Sequence, residues 1–339
     1  MAQRLSLAIL APCFEGRSYY HTERFRLAGQ HTDAQSTLAL FVESKYRERN
    51  MKFGLRYCNT GPYVQLEAAT ELLQAGEAAG FESAWTVEHT VVPAGHDSQY
   101  PYSPDGKMAG GILDIPLPDP LVWMSFMAAR TSTIKLGTAI LILPQHSPVV
   151  AAKQIATMDA MSNGRILLGI GVGWLKEEFD AIGADFSNRA ARTDEYVAAM
   201  RCLWRDEAPT FSGEYVQFTE AYCRPQPVNG SVPIIIGGHS PAAARRAGRL
   251  GDGFFPARGL SPELLQIVRD TAVENGRDPD AIEITASLPD DIEEIAQLAK
   301  LGVSRIVVPV TPMTGMHAPI RNPDDVAKWG AIIDRFRDV

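Results

Sequence analysis

The chain has 339 residues, 45% of them hydrophobic and 21% charged, with a formal net charge of −8. This is the balance of a soluble globular protein, and the acidic excess argues against nucleic acid or an anionic membrane as a partner, since both recruit basic patches. No apolar run is long enough to span a bilayer, and Cys13, Cys58, Cys202 and Cys223 lie far apart without paired ligand spacing, which reads as reduced thiols in a cytoplasmic protein.

Residues 1–50 show no clean period and end in the charged run Glu43–Asn50. They read as a disordered extension, untranslated if Met51 is the true start. Leu5–Ala11 is too short and too weakly flanked for a secretory signal. Met51-Lys52-Phe53-Gly54-Leu55 opens the first strand of a single domain, 51–339.

Strand and helix alternate from there. The pattern predicts strands near 53–57, 82–87, 134–142, 166–171, 233–237, 252–256, 282–286 and 304–310. It predicts helices near 63–79, 120–131, 148–161, 189–206, 241–250, 261–275, 290–301 and 323–337. A capping residue followed by Pro marks the helix starts at Asp119-Pro120, Ser147-Pro148, Ser240-Pro241, Ser261-Pro262 and Asn322-Pro323. Asn163-Gly164 ends the 148–161 helix, because both residues tolerate a left-handed backbone, and Arg165 marks the polar edge of that turn. Eight such units predict a (β/α)8 TIM barrel with mouth insertions. A doubly wound open sheet is the alternative, but no GxGxxG closes the first strand.

Two long segments, Pro93–Asp119 and Trp174–Asn188, follow strands directly and therefore lie at the C-terminal mouth, where long loops cover sites. A third, Pro209–Val232, reads as a hairpin of Thr210–Ser212 and Tyr215–Phe218 around Gly213-Glu214.

The chemistry-bearing residues gather at the same end. Glu88-His89 closes the second strand, where His89 can exchange a proton near neutral pH and Glu88 can orient it or reach a cofactor. Gly237-Gly238-His239-Ser240 opens a helix, a place where free N–H groups bind a phosphate. Gly171 and Trp174 follow the fourth strand, and Trp174 either stacks on a planar ring or plugs the barrel. The small residues Gly137, Thr138 and Ala139 leave room for a flat ligand, or pack tightly inside the barrel. A metal site is not expected. The first strand lacks His-x-His, and His96-Asp97 reads as a solvated loop pair. No Gly-x-Ser-x-Gly elbow occurs, and no Lys sits at a strand end for Schiff-base chemistry.

Four segments, SAWTVEH, LGTAILILPQHSPVVAAKQIATMDAMSNGRILLGIGVGW, EEFDAIGADFSNRAARTDEYVAAMRCLW and PIIIGGHSPAAARRAGRLGDGFF, occur in this order. Together they resemble the bacterial luciferase-like monooxygenase superfamily, particularly its coenzyme F420-dependent branch, from Met51 to about Phe336. The resemblance implies a deazaflavin or flavin across the barrel mouth and a non-prolyl cis peptide at Ala139–Ile140 supporting the ring. It assigns phosphate contacts to Gly237, Gly238, His239 and Ser240, a ring contact to Glu88, and acid/base work to His89. Hydride transfer to or from a small organic substrate follows, with Pro93–Asp119 as the lid. A homodimer is implied, as is a reductase supplying reduced cofactor.

The chain departs from that pattern in two places. Glu88 stands where deazaflavin members often carry Asp. Trp174 stands near an acidic catalytic residue of the sugar-phosphate dehydrogenases, which argues against a sugar phosphate. The alternatives are a two-component FMN-dependent monooxygenase and a non-redox barrel that binds a phosphorylated ligand. The acidic tail of F420 favours extra basic residues at the mouth, for which Lys107, Lys153, Lys176 and Arg258 are the candidates.

Overall fold

The computed structural model describes residues 50–108, 113–312 and 318–339. The extension assigned to residues 1–50 lies outside them except for its last position. Met51 is buried, and its N–H donates to the Arg337 carbonyl at 2.7 Å.

Among the described residues nine parallel strands form the barrel: β1 (Lys52–Arg56), β2 (Ser83–Thr86), β3 (Lys135–Thr138), β4 (Leu141–Ile142), β5 (Ile166–Gly171), β8 (Ile234–Gly237), β9 (Gly253–Phe255), β10 (Glu283–Ser287) and β11 (Val303–Pro309). The two strands skipped in this numbering, β6 (Phe211–Ser212) and β7 (Gln217–Phe218), pair antiparallel as the expected hairpin. β3 and β4 are one barrel strand divided at Ala139–Ile140, whose peptide bond is cis. Pairing of both β3 and β4 with β5 closes the sheet, so the eight-unit barrel is correct and the open sheet is not.

The helices between strands are α1 (Leu66–Ala79), α2 (Pro120–Arg130), α3 (Pro148–Met161), α4 (Lys176–Ala181), α5 (Arg189–Arg205), α6 (Pro241–Leu250), α7 (Pro262–Glu274), α8 (Ile295–Lys300) and α9 (Pro323–Phe336). Their caps follow the sequence signals closely. Asp119, Ser240, Ser261 and Asn322 each accept a hydrogen bond from the backbone N–H three residues on. Ser147 is the exception, since its side chain caps nothing although Pro148 holds the first helical position. Two helix expectations shift. The first helix is preceded by a 3-10 turn, Gly61–Val64. The helix expected over 290–301 shortens to α8 after another 3-10 turn, Ile292–Glu294.

The barrel interior is filled by Trp85, which has no exposed surface. A Cβ on Gly54 or Gly137 would come within 2.8 Å or 2.6 Å of its ring. Gly137 of the third strand therefore makes room for Trp85 in the core, while Ala139 lines the cavity. Arg305 sits beneath it, donating to Glu82, Glu283 and Thr285 at the opposite end from the mouth. Asn163 and Gly164 do adopt positive φ, at 59° and 79°. Arg165 is not a polar edge. It is buried and donates to the carbonyls of Ala128, Thr131, Ile134 and Ser162 and to the Thr131 hydroxyl, tying α2 to β3 and β5. Among the described residues no helix is long and apolar enough to cross a membrane.

Candidate active site

A cavity of about 1250 Å³ opens at the C-terminal ends of the strands. Pockets for one small ligand run to about 300–1,000 Å³, so this one has room for two occupants. Its wall includes His89, Glu88, Ala139, Ile140, Gly171 and Trp174, and also Gly237, Gly238, His239 and Ser240. Every site residue expected from the sequence thus lines one space.

Their partners are not all the expected ones. The carboxylate beside His89 is Glu178 in α4, not Glu88: His89 Nδ1 lies 3.0 Å from Glu178 Oε2. Glu178 is fully buried, and its other oxygen accepts from the N–H groups of Thr90, at 2.6 Å, and Val91. Burial works to raise the Glu178 carboxyl, but His89, Gln145 and these N–H groups outweigh it and hold it below its ordinary value. An ionised carboxylate only accepts, so Nδ1 carries the proton and Nε2 is left to act on a ligand.

Glu88 is engaged elsewhere. Its Oε1 lies 2.7 Å from His146 Nε2, and its Oε2 accepts from the Ile142 N–H just past the cis bond. Burial works to lower His146, but the Glu88 hydrogen bond and charge, with Asp119 and Glu178 nearby, raise it above its ordinary value. Glu88 therefore ties the divided strand to His146 and favours that ring's charged form.

Gly171 and Gly237 leave space that a neighbouring side chain fills. A Cβ on either would meet the Ile140 side chain, at 2.7 Å and 2.3 Å. Ile140 is thereby presented to the cavity between the ends of β5 and β8. Gly238 has φ 131°, which a side chain rarely adopts, and it turns the chain into the capped start of α6. His239 carries a buried Nδ1 with no hydrogen-bond partner, and burial, reinforced by Arg258, lowers its pKa. Its backbone N–H bonds the hydroxyl of Tyr102, so the 93–119 segment reaches the turn directly.

Trp174 is the centre of an aromatic cluster. The rings of His89, His96 and Tyr100 all meet it edge-on, with centroids 5.9, 5.8 and 5.2 Å away. His96 is therefore part of the wall behind the site, not a solvated loop residue. Burial pushes the Tyr100 phenol up to about 12, so it stays protonated and able to donate. Met108, Ile115 and Leu117 add an apolar cover from the same segment.

Of the basic candidates, only Arg258 lines the cavity. Lys176 pairs with Asp180 on the exposed face of α4, and Lys107 and Lys153 are absent from the lining. The guanidiniums at the mouth are Arg56, Arg189, Arg246 and Arg258. Sequence reasoning missed Glu178, His146, Arg56 and Tyr100. Glu178 sits in a segment read as loop, and nothing local shows that it packs under the second strand. Among the described residues no group of three or more His, Cys, Asp or Glu side chains is placed to hold a metal.

The profile of the luciferase-like monooxygenase family matches residues 51–304. An uncharacterized protein of Mycobacterium tuberculosis (strain ATCC 25618 / H37Rv) is 30% identical over 285 residues, covering 82% of this chain and 96% of its own. An F420-dependent glucose-6-phosphate dehydrogenase of Mycobacterium avium (strain 104) is 32% identical over 268 residues, covering 76% of this chain and 74% of its own. Among solved structures, an F420-dependent secondary alcohol dehydrogenase in complex with an F420-acetone adduct shares the fold, with TM-score 0.66 and 19% identity over 85% of this chain and all of that one.

Proposed function

The chain belongs to the luciferase-like monooxygenase family, and on that premise we propose that it is an F420-dependent oxidoreductase acting on a small organic substrate. The observation that carries this reading is the His89–Glu178 pair, set in the wall of a two-occupant cavity that also holds a capped helix start and the projecting Ile140.

The residues suit a deazaflavin. The turn Gly237–Ser240, with its positive φ at Gly238 and the unpartnered His239 Nδ1, is a place for phosphate oxygens at a helix N-terminus. Ile140 supports a flat ring from below, held there by the Glu88–Ile142 contact. Bound in this site, the deazaflavin supplies a carbon centre that accepts or donates a hydride.

The chain's own groups do the rest. When an alcohol carbon loses hydride, the hydroxyl proton passes to His89 Nε2, and Glu178 stabilises the imidazolium that forms. In the reverse direction His89 returns that proton to the carbonyl oxygen. Trp174 meets the imidazole ring edge-on and is itself backed by Tyr100. Met108, Ile115 and Leu117 exclude water, which strengthens each polar contact inside.

Two finer assignments accompany this reading. The buried thiols of Cys58 and Cys223 support a cytoplasmic enzyme. Val122 and Phe126 on α2 are 58% and 56% exposed, and Val150 on α3 is 55% exposed, which supports a homodimer through these helices.

Anaerobic incubation with oxidised F420 and a panel of alcohols tests the reaction. Loss of the oxidised deazaflavin's absorbance with at least one alcohol, abolished in His89→Ala, is the expected result. Oxygen-dependent product formation with reduced FMN, and none with F420, would replace it with the two-component monooxygenase.

A further inference from the structure

Three buried arginines, Arg165, Arg246 and Arg305, have conventional partners. Arg165 donates to four carbonyls and a hydroxyl, Arg246 Nε to Asp194 at 2.5 Å, and Arg305 to Glu82 and Glu283. Arg56 does not follow this rule. It is the last residue of β1, only 8% exposed, and it lines the cavity. Its Nη1 donates to Ser287 Oγ at 3.0 Å, and its Nε is buried without a hydrogen-bond partner. Among the described residues no carboxylate lies within ion-pair distance of it.

A buried, uncompensated guanidinium is costly. The chain has 40 Asp and Glu against 32 Lys and Arg, so acids are plentiful, yet among the described residues none pairs with Arg56. The surroundings hold the charge in place. Its Cζ lies 4.6 Å from the Tyr57 ring centre and 5.0 Å from that of Phe255. Tyr57 takes φ 68°, a left-handed backbone that bulky residues seldom adopt. A second guanidinium on the cavity wall, Arg258, donates to the Pro101 carbonyl at 3.3 Å and has no carboxylate partner among the described residues.

The position within the barrel matters. Arg56 and Ser287 stand at the ends of β1 and β10, across the mouth from Gly237 at the end of β8 and from Ile140 just before β4, while Phe255 at the end of β9 pairs with Gly237 and joins the two walls. The assignment of that far wall to the cofactor leaves the near one for substrate, and the inference rests on it.

We propose that Arg56, with Ser287 and Arg258, anchors a carboxylate of the substrate, which is therefore a hydroxy acid or its oxo acid. A planar carboxylate suits a guanidinium flanked by two rings. The carboxylate is a spectator: the hydroxyl-bearing carbon gives its hydride to the cofactor and its oxygen gives the proton to His89.

Calorimetric titration of the full chain tests this with 4-oxopentanoate, 2-pentanone and inorganic phosphate, each with and without F420. The expected result is 4-oxopentanoate binding at least about tenfold tighter than 2-pentanone, with Arg56→Met removing that difference. F420 affinity in Arg56→Met should change by less than about twofold, since the two walls are separate. If Arg56→Met does not fold, Ser287→Ala and Arg258→Gln must each weaken 4-oxopentanoate and leave 2-pentanone unchanged. Equal binding of the two ketones, or an unaltered keto-acid affinity in the variants, overturns the proposal. So does inorganic phosphate displacing 4-oxopentanoate at an equal concentration, or a large loss of F420 affinity in Arg56→Met. Arg56-dependent keto-acid binding in a protein that ignores F420 would instead sustain the anion site and defeat the cofactor assignment.

Discussion

Glu178 in α4 reaches back to the end of β2 and holds His89 by its Nδ1, 3.0 Å from Oε2, with both side chains shielded from solvent. The same carboxylate collects the Thr90 and Val91 N–H groups, so it fixes both the ring and the backbone behind it. Replacing His89 with Ala should lower kcat by about 10²–10⁴ and leave F420 affinity near that of the native enzyme. Glu178→Gln should cost about tenfold in kcat through a poorly oriented imidazole. Steady-state kinetics beside a cofactor titration checks both, and an unchanged kcat in His89→Ala would remove it from the mechanism.

Ile140 and Gly237 are fitted to one another at the cofactor wall. A methyl group on Gly237 would lie 2.3 Å from Ile140 Cγ2. Gly237→Ala should therefore displace Ile140, destabilise the fold by about 1–3 kcal/mol, and weaken F420. Gly169→Ala is the harsher case, since its Cβ would fall 1.9 Å from the Thr138 carbonyl oxygen, which is backbone and cannot swing aside. That variant should fail to fold, as judged by circular dichroism and solubility.

Arg305 closes the other end of the barrel. Burial works to raise the Glu82 carboxyl, but the charge and hydrogen bonds of Arg305, helped by Lys135, hold it down at about 2. A carboxyl depressed in the folded state contributes stability above its ordinary value and loses it as pH falls. The loss should run from about pH 4.5 down to about 2. Arg305→Met should destabilise by about 3–5 kcal/mol at neutral pH, towards the lower figure because Lys135 and Lys52 remain. It should also flatten the acid limb. Urea unfolding across this range is the measurement, and an acid limb as steep as the native one would contradict the assignment.

His146 works in the opposite sense. It is raised above its ordinary 6.5 by Glu88, against the effect of burial. Stability from this pair is complete below about pH 6.5 and is lost as pH rises through the raised value. His146→Gln should therefore lower Tm at pH 6 and lose less of it between pH 6 and 9 than the native protein does. Parallel melting curves for the two proteins would fault the Glu88–His146 pair.

Much of this was legible in the sequence because each signal is local. Helix starts such as Asp119-Pro120 carry their own caps, and buried parallel strands such as Ile166–Gly171 are short apolar runs. The cis bond at Ala139–Ile140 and the grouping of His89 with Gly237–Ser240 followed from the family resemblance. What stayed hidden depends on neighbours distant in the chain. Glu178 is 89 positions from His89, and no local pattern distinguishes it from Glu177, whose carboxylate lies near the surface and accepts from the Asp97 and Ser98 N–H groups. Arg165 reads as a turn residue until its carbonyl partners are seen. The glycines at 171 and 237 suggest ligand approach, whereas the space beside them belongs to Ile140.

The central claim is that the wall from Ile140 to Ser240 holds a deazaflavin. Equilibrium titration of the full chain with oxidised F420 and, separately, FMN, followed by fluorescence, tests it most directly. Tight F420 binding with weak FMN binding, and loss of F420 affinity in Gly237→Ala, is the predicted result. Tight FMN binding with no measurable F420 binding, or no binding of either, would contradict it.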